Sequence, residues 1–205
     1  MADSTRSLLQ ERADRAGIRL DPTIADRLLT YYQLLERWNR KINLTALSDP
    51  AQAVDRLLLE PVSAAQHLPR DSKLADLGSG GGSPAIPLAI ALNAPHLLMV
   101  ESRSRKAAFL REAARHVGIA ATVEAIRFEE LRRKDEYRES AEVVSMRAVK
   151  PDTETVELGR WLTRPGGLVA YFGSSADLES LPPERSTWNI MPSAILVTFH
   201  VEHLD

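Results

Sequence analysis

Ile24, Leu28, Tyr31, Leu35, Trp38 and Ile42 recur at alternating steps of four and three. That spacing lines one face of a long helix with apolar side chains. Arg27, Glu36, Arg37, Arg40 and Lys41 fall on its polar face. Asp21 followed by Pro22 predicts its start, a capping carboxylate ahead of a residue with no N–H to leave unbonded. Asn43-Leu44-Thr45 predicts its end. Ser4 is expected to cap an earlier helix that closes at Gly17, and Asp49-Pro50 to open a later one with Val54, Leu57 and Leu58 inside. Pro61 should kink or shorten that last helix.

From residue 73 the pattern changes to short apolar runs separated by amphipathic stretches. Leu74-Ala75, 97–100, Thr122-Val123, 142–146 and 168–172 read as five strands. Residues 103–117 read as a helix with Ala107, Leu110, Ala114 and Val117 inside and Gly118 at its end. Residues 152–162 read as a helix and 164–167 as a turn. Two late runs, 187–191 and 195–201, have no helix between them and predict an antiparallel hairpin at a sheet edge. The fold class expected is α/β: a Rossmann-like, doubly wound, mostly parallel sheet (71–205) preceded by a helical region (1–70), in one compact unit.

The run Asp76-Leu77-Gly78-Ser79-Gly80-Gly81-Gly82 sits between the first strand and a helix start at Ser83-Pro84. Strand, glycine-rich turn and helix in that order make the nucleotide-holding end of a parallel sheet. The pattern is D-x-G-x-G-x-G, with Ser83 where the dinucleotide form has its third glycine. Asp76 would repel a pyrophosphate and attract a cation. S-adenosylmethionine carries a sulfonium and an ammonium and no phosphate, so the turn reads as a methyl-donor site ahead of a dinucleotide site. Gly78 and Gly80 are the bends against which a ligand could lie. Ser83 is expected to cap the following helix through its hydroxyl.

Other candidates follow the strand ends. Glu101 closes the second strand, 23 residues after Gly78, and a carboxylate there can accept both ribose hydroxyls. Phe128 and Glu129 follow the third strand, where an adenine would lie. Arg147, in Ser145-Met146-Arg147-Ala148, follows the fourth. It is the candidate catalytic residue: it could fix the donor carboxylate, contact a substrate phosphate or lie over a base plane, and the competing reading is a buried ion pair.

Composition narrows the chemistry. The chain of 205 residues has no cysteine, which excludes disulfides, thiolate metal sites and a cysteine nucleophile. The five histidines show no metal-binding spacing, so no metal site is expected. No apolar run reaches spanning length and no secretory signal opens the chain; a cytoplasmic monomer with no membrane partner is expected. Net charge is −2, so a nucleic-acid partner must meet a local basic patch or be presented by another protein. Arg103, Arg105, Lys106 and Arg111 could touch phosphates, but for most of them the reading is a solvated helix face. No Asn/Asp-Pro-Pro-aromatic run follows the fourth strand, which argues against exocyclic-amine methylation. What remains is transfer to an atom that is already nucleophilic, such as guanine N7, where alignment counts for more than a general base.

Tyr31 to Asn39, Lys41-Ile42-Asn43-Leu44-Thr45-Ala46, D-L-G-S-G-G-G-S-P-A-I-P-L, E-S-R-S-R-K-A-A-F-L-R-E and S-M-R-A together resemble the motifs, in order, of the bacterial small-subunit ribosomal RNA guanine-N7 methyltransferases, also called glucose-inhibited division protein B. The resemblance covers about residues 20 to 172. It implies a class I methyltransferase fold, S-adenosyl-L-methionine as donor, and methylation of one guanine in 16S ribosomal RNA or a small-subunit precursor. It places Gly78, Ser83, Phe128, Glu129 and Arg147 against the donor and Glu101 near its ribose. Asn39, Asn43 and Arg56 match polar positions on the substrate side.

Three positions depart from the pattern. Phe172 stands where lysine is expected, Leu57 where histidine is expected, and Ala194-Ile195 where Arg-His is expected. The donor side is retained and the substrate side altered. Alternatives are a divergent methyltransferase for another RNA or a small molecule, and a donor-binding ribosome-assembly factor without turnover. A basic rim around Arg56 and Arg147 would favour RNA; a hydrophobic mouth would favour a small molecule.

Overall fold

A computed structural model describes residues 2–174, 181–192 and 194–202. Helices α1 (Ala2–Arg15) and α2 (Pro22–Asn39) lead into α3 (Pro50–Val54), a π-helical turn (Asp55–Leu59) and α4 (Glu60–Ala64). The remainder alternates: β1 (Leu74–Leu77), α5 (Ala85–Leu92), β2 (Leu97–Val100), α6 (Ser104–His116), β3 (Ala121–Glu124), α7 (Phe128–Leu131), β4 (Ala141–Arg147), α8 (Thr153–Leu162), β5 (Thr163–Gly173), β6 (Ser186–Met191) and β7 (Ala194–His200). The sheet order is β3-β2-β1-β4-β5-β7-β6. The first five strands pair in parallel, and β7 and β6 add antiparallel. The chain leaves β1 in one direction for β2 and β3 and returns on its other side at β4, so the crevice for a ligand lies at the carboxyl ends of β1 and β4.

Side-chain alternation along the strands gives the sheet two apolar faces. Leu74, Leu97, Met99, Val143, Ala170 and Phe172 join a cluster with Leu28, Tyr31, Leu35, Leu58, Ile86 and Leu110. The N-terminal helices and the sheet therefore share one core. Ala75, Leu77, Val144, Met146, Val169 and Tyr171 pack on the other face with Val156 and Leu162 of α8. All eight residues of α5 are buried, which is why that helix shows no polar stripe. No helix among the described residues is long and apolar enough to cross a membrane.

Several local expectations change. Ser4 lies inside α1 and is not its cap. The apolar stripe of α2 continues to Ile42, but the helix stops at Asn39, whose Oδ1 accepts the backbone N–H groups of Leu44 (2.8 Å) and Thr45 (3.0 Å). This side chain folds the segment back more effectively than one further turn of helix could. The 164–167 turn lies within β5 as an irregularity, where the pairing jumps from Ala141↔Thr163 to Val143↔Leu168. Pro61 does not end its helix. A widened turn takes up the strain, with Glu60 N–H bonding Asp55 O in place of the α-helical partner. That shift frees the carbonyl of Arg56, and the missing N–H of Pro61 frees that of Leu57.

Candidate functional site

Period 2 places Asp76 of β1 on the same face as Leu74, and Arg147 of β4 on the same face as Val143 and Ser145. Both point under the N-terminal helices, next to the glycine turn. Asp76 is buried. Its Oδ1 accepts the Ser145 hydroxyl at 2.5 Å, while Oδ2 has no partner. Burial pushes its carboxyl up to about 6, against the pull of the Ser145 and Ser79 hydroxyls and the charge of Arg147. A buried carboxylate oxygen with no hydrogen-bond partner can take a cation or a proton.

The turn itself is held by the N-terminal region. Tyr31 of α2 donates to the carbonyl of Gly81 at 2.6 Å. The carbonyl of Leu44 lies 2.9 Å from where a Cβ on Gly81 would stand. Val149 presses on Gly78 in the same way, at 2.7 Å, where φ is +74°. At Gly80 (φ +51°) the space is open apart from the carbonyl of Gly78 at 3.6 Å, which is the bare backbone a ligand requires. Gly80 N–H donates to Glu101 Oε2 at 3.0 Å and Arg103 N–H to its Oε1 at 2.8 Å. Each oxygen keeps a second lone pair. Glu101, Gly78, Val100, Ile126, Phe128 and Glu129 line a hollow of about 260 Å³. Gly78, Glu101, Phe128 and Glu129 therefore share the hollow and Gly80 joins them through its bond to Glu101, while Asp76 is buried in β1 and does not line it.

Ser83 does not cap α5. Its hydroxyl donates to the freed carbonyl of Leu57 at 2.9 Å. Arg147 takes the other freed carbonyl: Nη1 donates to Arg56 O at 2.6 Å, and Nη2 pairs with Glu60 Oε2 at 2.9 Å. The arginine and the glutamate side chains are 9% and 7% exposed. Burial raises the Glu60 carboxyl, and the guanidinium opposes that shift. Arg147 pairs directly across the sheet with Phe172, and its guanidinium lies 4.9 Å over that ring. A lysine at 172 would set like charges opposite one another; phenylalanine replaces that repulsion with a cation–π contact.

The substrate-side candidates are dispersed. Asn39 shapes the turn after α2, and Asn43 is exposed beside Lys41 and Arg103. Arg56 is exposed on the far side, among Arg12, Asp49, Asp55 and Glu60. Arg12 is already paired with Asp55, so the rim around Arg56 is mixed in charge and not the basic rim considered above. Glu60 did not stand out in the sequence, and Tyr31 stood out only as part of the apolar face of α2. The available signal for Glu60 was an acid set in the apolar run Leu57-Leu58-Leu59-Glu60-Pro61-Val62.

The chain's solved structural neighbours include an S-adenosylmethionine-dependent O-methyltransferase from Thermotoga maritima, at a TM-score of 0.56 and 12% identity, covering 84% of this chain and 72% of that one. The ribosomal RNA small subunit methyltransferase G of Stenotrophomonas maltophilia is 42% identical over 176 residues, 85% of this chain and 81% of its own length. The protein of the same name from Xanthomonas axonopodis pv. citri is 40% identical over 83% of this chain and 79% of its own. The profile of the GidB family, rRNA small subunit methyltransferase G, matches residues 24–197. The chain belongs to the rRNA small subunit methyltransferase G family and has the α/β fold of class I S-adenosylmethionine-dependent methyltransferases.

Proposed function

We propose that this protein transfers a methyl group from S-adenosyl-L-methionine to N7 of a guanine in 16S ribosomal RNA, acting as a cytoplasmic monomer on the small subunit or its precursor. The observation that carries the reading is the buried carboxylate of Asp76, its Oδ2 unpartnered, in the strand that runs into the turn with open backbone at Gly80. A donor with an ammonium group and no phosphate suits that pair; a pyrophosphate does not. Asp76 would hold the ammonium, Glu101 the ribose hydroxyls through its second lone pairs, and Phe128 and Ile126 the adenine. When bound, the donor supplies an electrophilic methyl on sulfur.

The chain's own groups orient and exclude water. The N7 lone pair is free at neutral pH, so no general base is required, and none is assigned. Arg147, fixed by Glu60, the main-chain oxygen of Arg56 and a longer bond to Ser83 Oγ at 3.4 Å, is a positioning residue in this reading. It locks the widened turn and Ser83 against the end of β4. It also sets a fixed positive charge near Asp76, which favours the ionised carboxylate needed to hold an ammonium.

The test is incubation of labelled donor with small subunits from a strain lacking the modification, with donor affinity measured separately. Label at a guanine N7 supports the reading. Donor binding without label in any RNA would leave a binding protein of this fold and remove the enzyme.

A further inference from the structure

We infer that the RNA strand carrying the target base runs along a basic groove between α2 and α6, separate from the hollow that Arg56 lines. The inference rests on the reading of the protein as an RNA methyltransferase. Three hollows join on this surface. The donor hollow reaches Glu101 and Ser102. Ser102 also borders a second hollow of about 640 Å³, walled by Lys41, Arg103, Arg105 and Lys106. Lys41 and Arg105 then border a third of about 820 Å³, which takes in Arg37, Trp38 and Arg40.

Six cations thus line the second and third hollows, where Glu112 is the one carboxylate among the described residues; the donor hollow adds Glu101 and Glu129. None of the six is in an ion pair among the described residues, whereas Arg6, Arg12, Arg15, Lys134, Arg147 and Arg164 each face a carboxylate. The chain has 28 acidic and 26 basic residues, so an unneutralised cluster is not the by-product of a basic protein.

Its placement also breaks a local rule. Arg103 is the residue before α6, and Arg105 and Lys106 lie in its first turn, which contains no acid. Cations there oppose the helix dipole. A local preference set aside without a compensating contact points to a partner. The walls are fixed relative to each other: Arg27 of α2 donates to Val117 O at the end of α6 at 2.9 Å, and Trp38 meets Phe109 edge-on. A polyphosphate strand matches this length of charge, and the groove ends at Ser102 on the rim of the donor hollow. An acidic protein surface would have no reason to end there.

The experiment uses the full chain and unmodified small ribosomal subunits, with co-sedimentation across a KCl series, donor calorimetry and label transfer. Two double variants, Arg40→Gln/Lys41→Gln and Arg105→Gln/Lys106→Gln, each remove two cations. Arg15→Gln, on α1 and outside the groove, is the control. Each double variant should bind subunits about tenfold more weakly at low salt. Its log–log salt slope should be shallower by about 1.4, taking about 0.7 per single-strand phosphate contact. Donor affinity should be unchanged. Wild-type slopes in both double variants would overturn the inference, as would competition by poly-glutamate equal to that by RNA, which would assign the groove to an acidic protein. If wild type transfers methyl groups while the groove variants bind normally, the groove fails and the enzyme stands. If wild type binds with the groove-dependent slope but transfers nothing, the enzyme fails and the groove stands.

Discussion

Asp76→Asn should make the ligand-free protein more stable and the donor weaker-bound. In the folded chain the carboxyl titrates at about 6, against an ordinary value of 3.8. An acid raised in this direction favours folding while it is protonated. Between those two pH values the folded chain holds a proton that the unfolded chain has lost, so stability falls as pH rises through that window and stays reduced above it. A difference of this size is worth about 3 kcal/mol. The asparagine removes that cost but puts an amide N–H where Oδ2 has no partner, at about 1–2 kcal/mol. The net gain at pH 8 is about 1–2 kcal/mol, or roughly 2–8 °C in Tm for a chain of this length. Near pH 4, where the carboxyl is protonated in the folded chain, only the amide cost remains and the variant should be less stable than wild type by about 1 kcal/mol. Thermal melts of both proteins from pH 4 to 8, with calorimetry of the demethylated donor, measure the two effects. Donor affinity should drop about 10- to 100-fold, since a charge-assisted hydrogen bond contributes about 1.5–3 kcal/mol. A stability difference that does not change with pH, or an asparagine variant less stable at pH 8, would refute the reasoning.

Other substitutions test the supports around the carboxylate. Gly80→Val puts a branched side chain at φ +51° in the ligand's path, so donor binding should be lost in calorimetry while circular dichroism still reports the folded sheet. Tyr31→Phe leaves the partly buried carbonyl of Gly81 without its donor, which should cost about 1 kcal/mol in urea unfolding and weaken binding of the methyl donor by loosening the turn. Glu60→Gln strands the charge of Arg147 and should cost about 3–5 kcal/mol, read as a lower urea midpoint. An unchanged midpoint would mean that the guanidinium finds water.

The strand–helix alternation after residue 73 was legible because each run is short, apolar and bounded, and the late hairpin because nothing helical separates its halves. The donor turn was legible because a glycine run between strand and helix is a local signal. The supports were not. Ser83 meets Leu57 and Arg147 meets Glu60 across 26 and 87 residues, and local spacing has no access to such pairs. The end of α2 was misplaced because the apolar stripe runs on to Ile42, while the deciding contact is a side-chain oxygen of Asn39 reaching forward to Leu44 and Thr45. The basic groove was read as a solvated helix face because its two walls come from helices far apart in the chain. Only their packing shows that the charges share one path.

The donor cradle is the claim on which the rest depends, and a crystal structure with the demethylated donor tests it most directly. The account predicts the amino group of the donor on Asp76 Oδ2, the ribose hydroxyls on Glu101 and the adenine against Phe128. An adenosyl group bound elsewhere, or a phosphate-bearing nucleotide seated on the Gly78–Gly82 turn with Asp76 turned away, would contradict it.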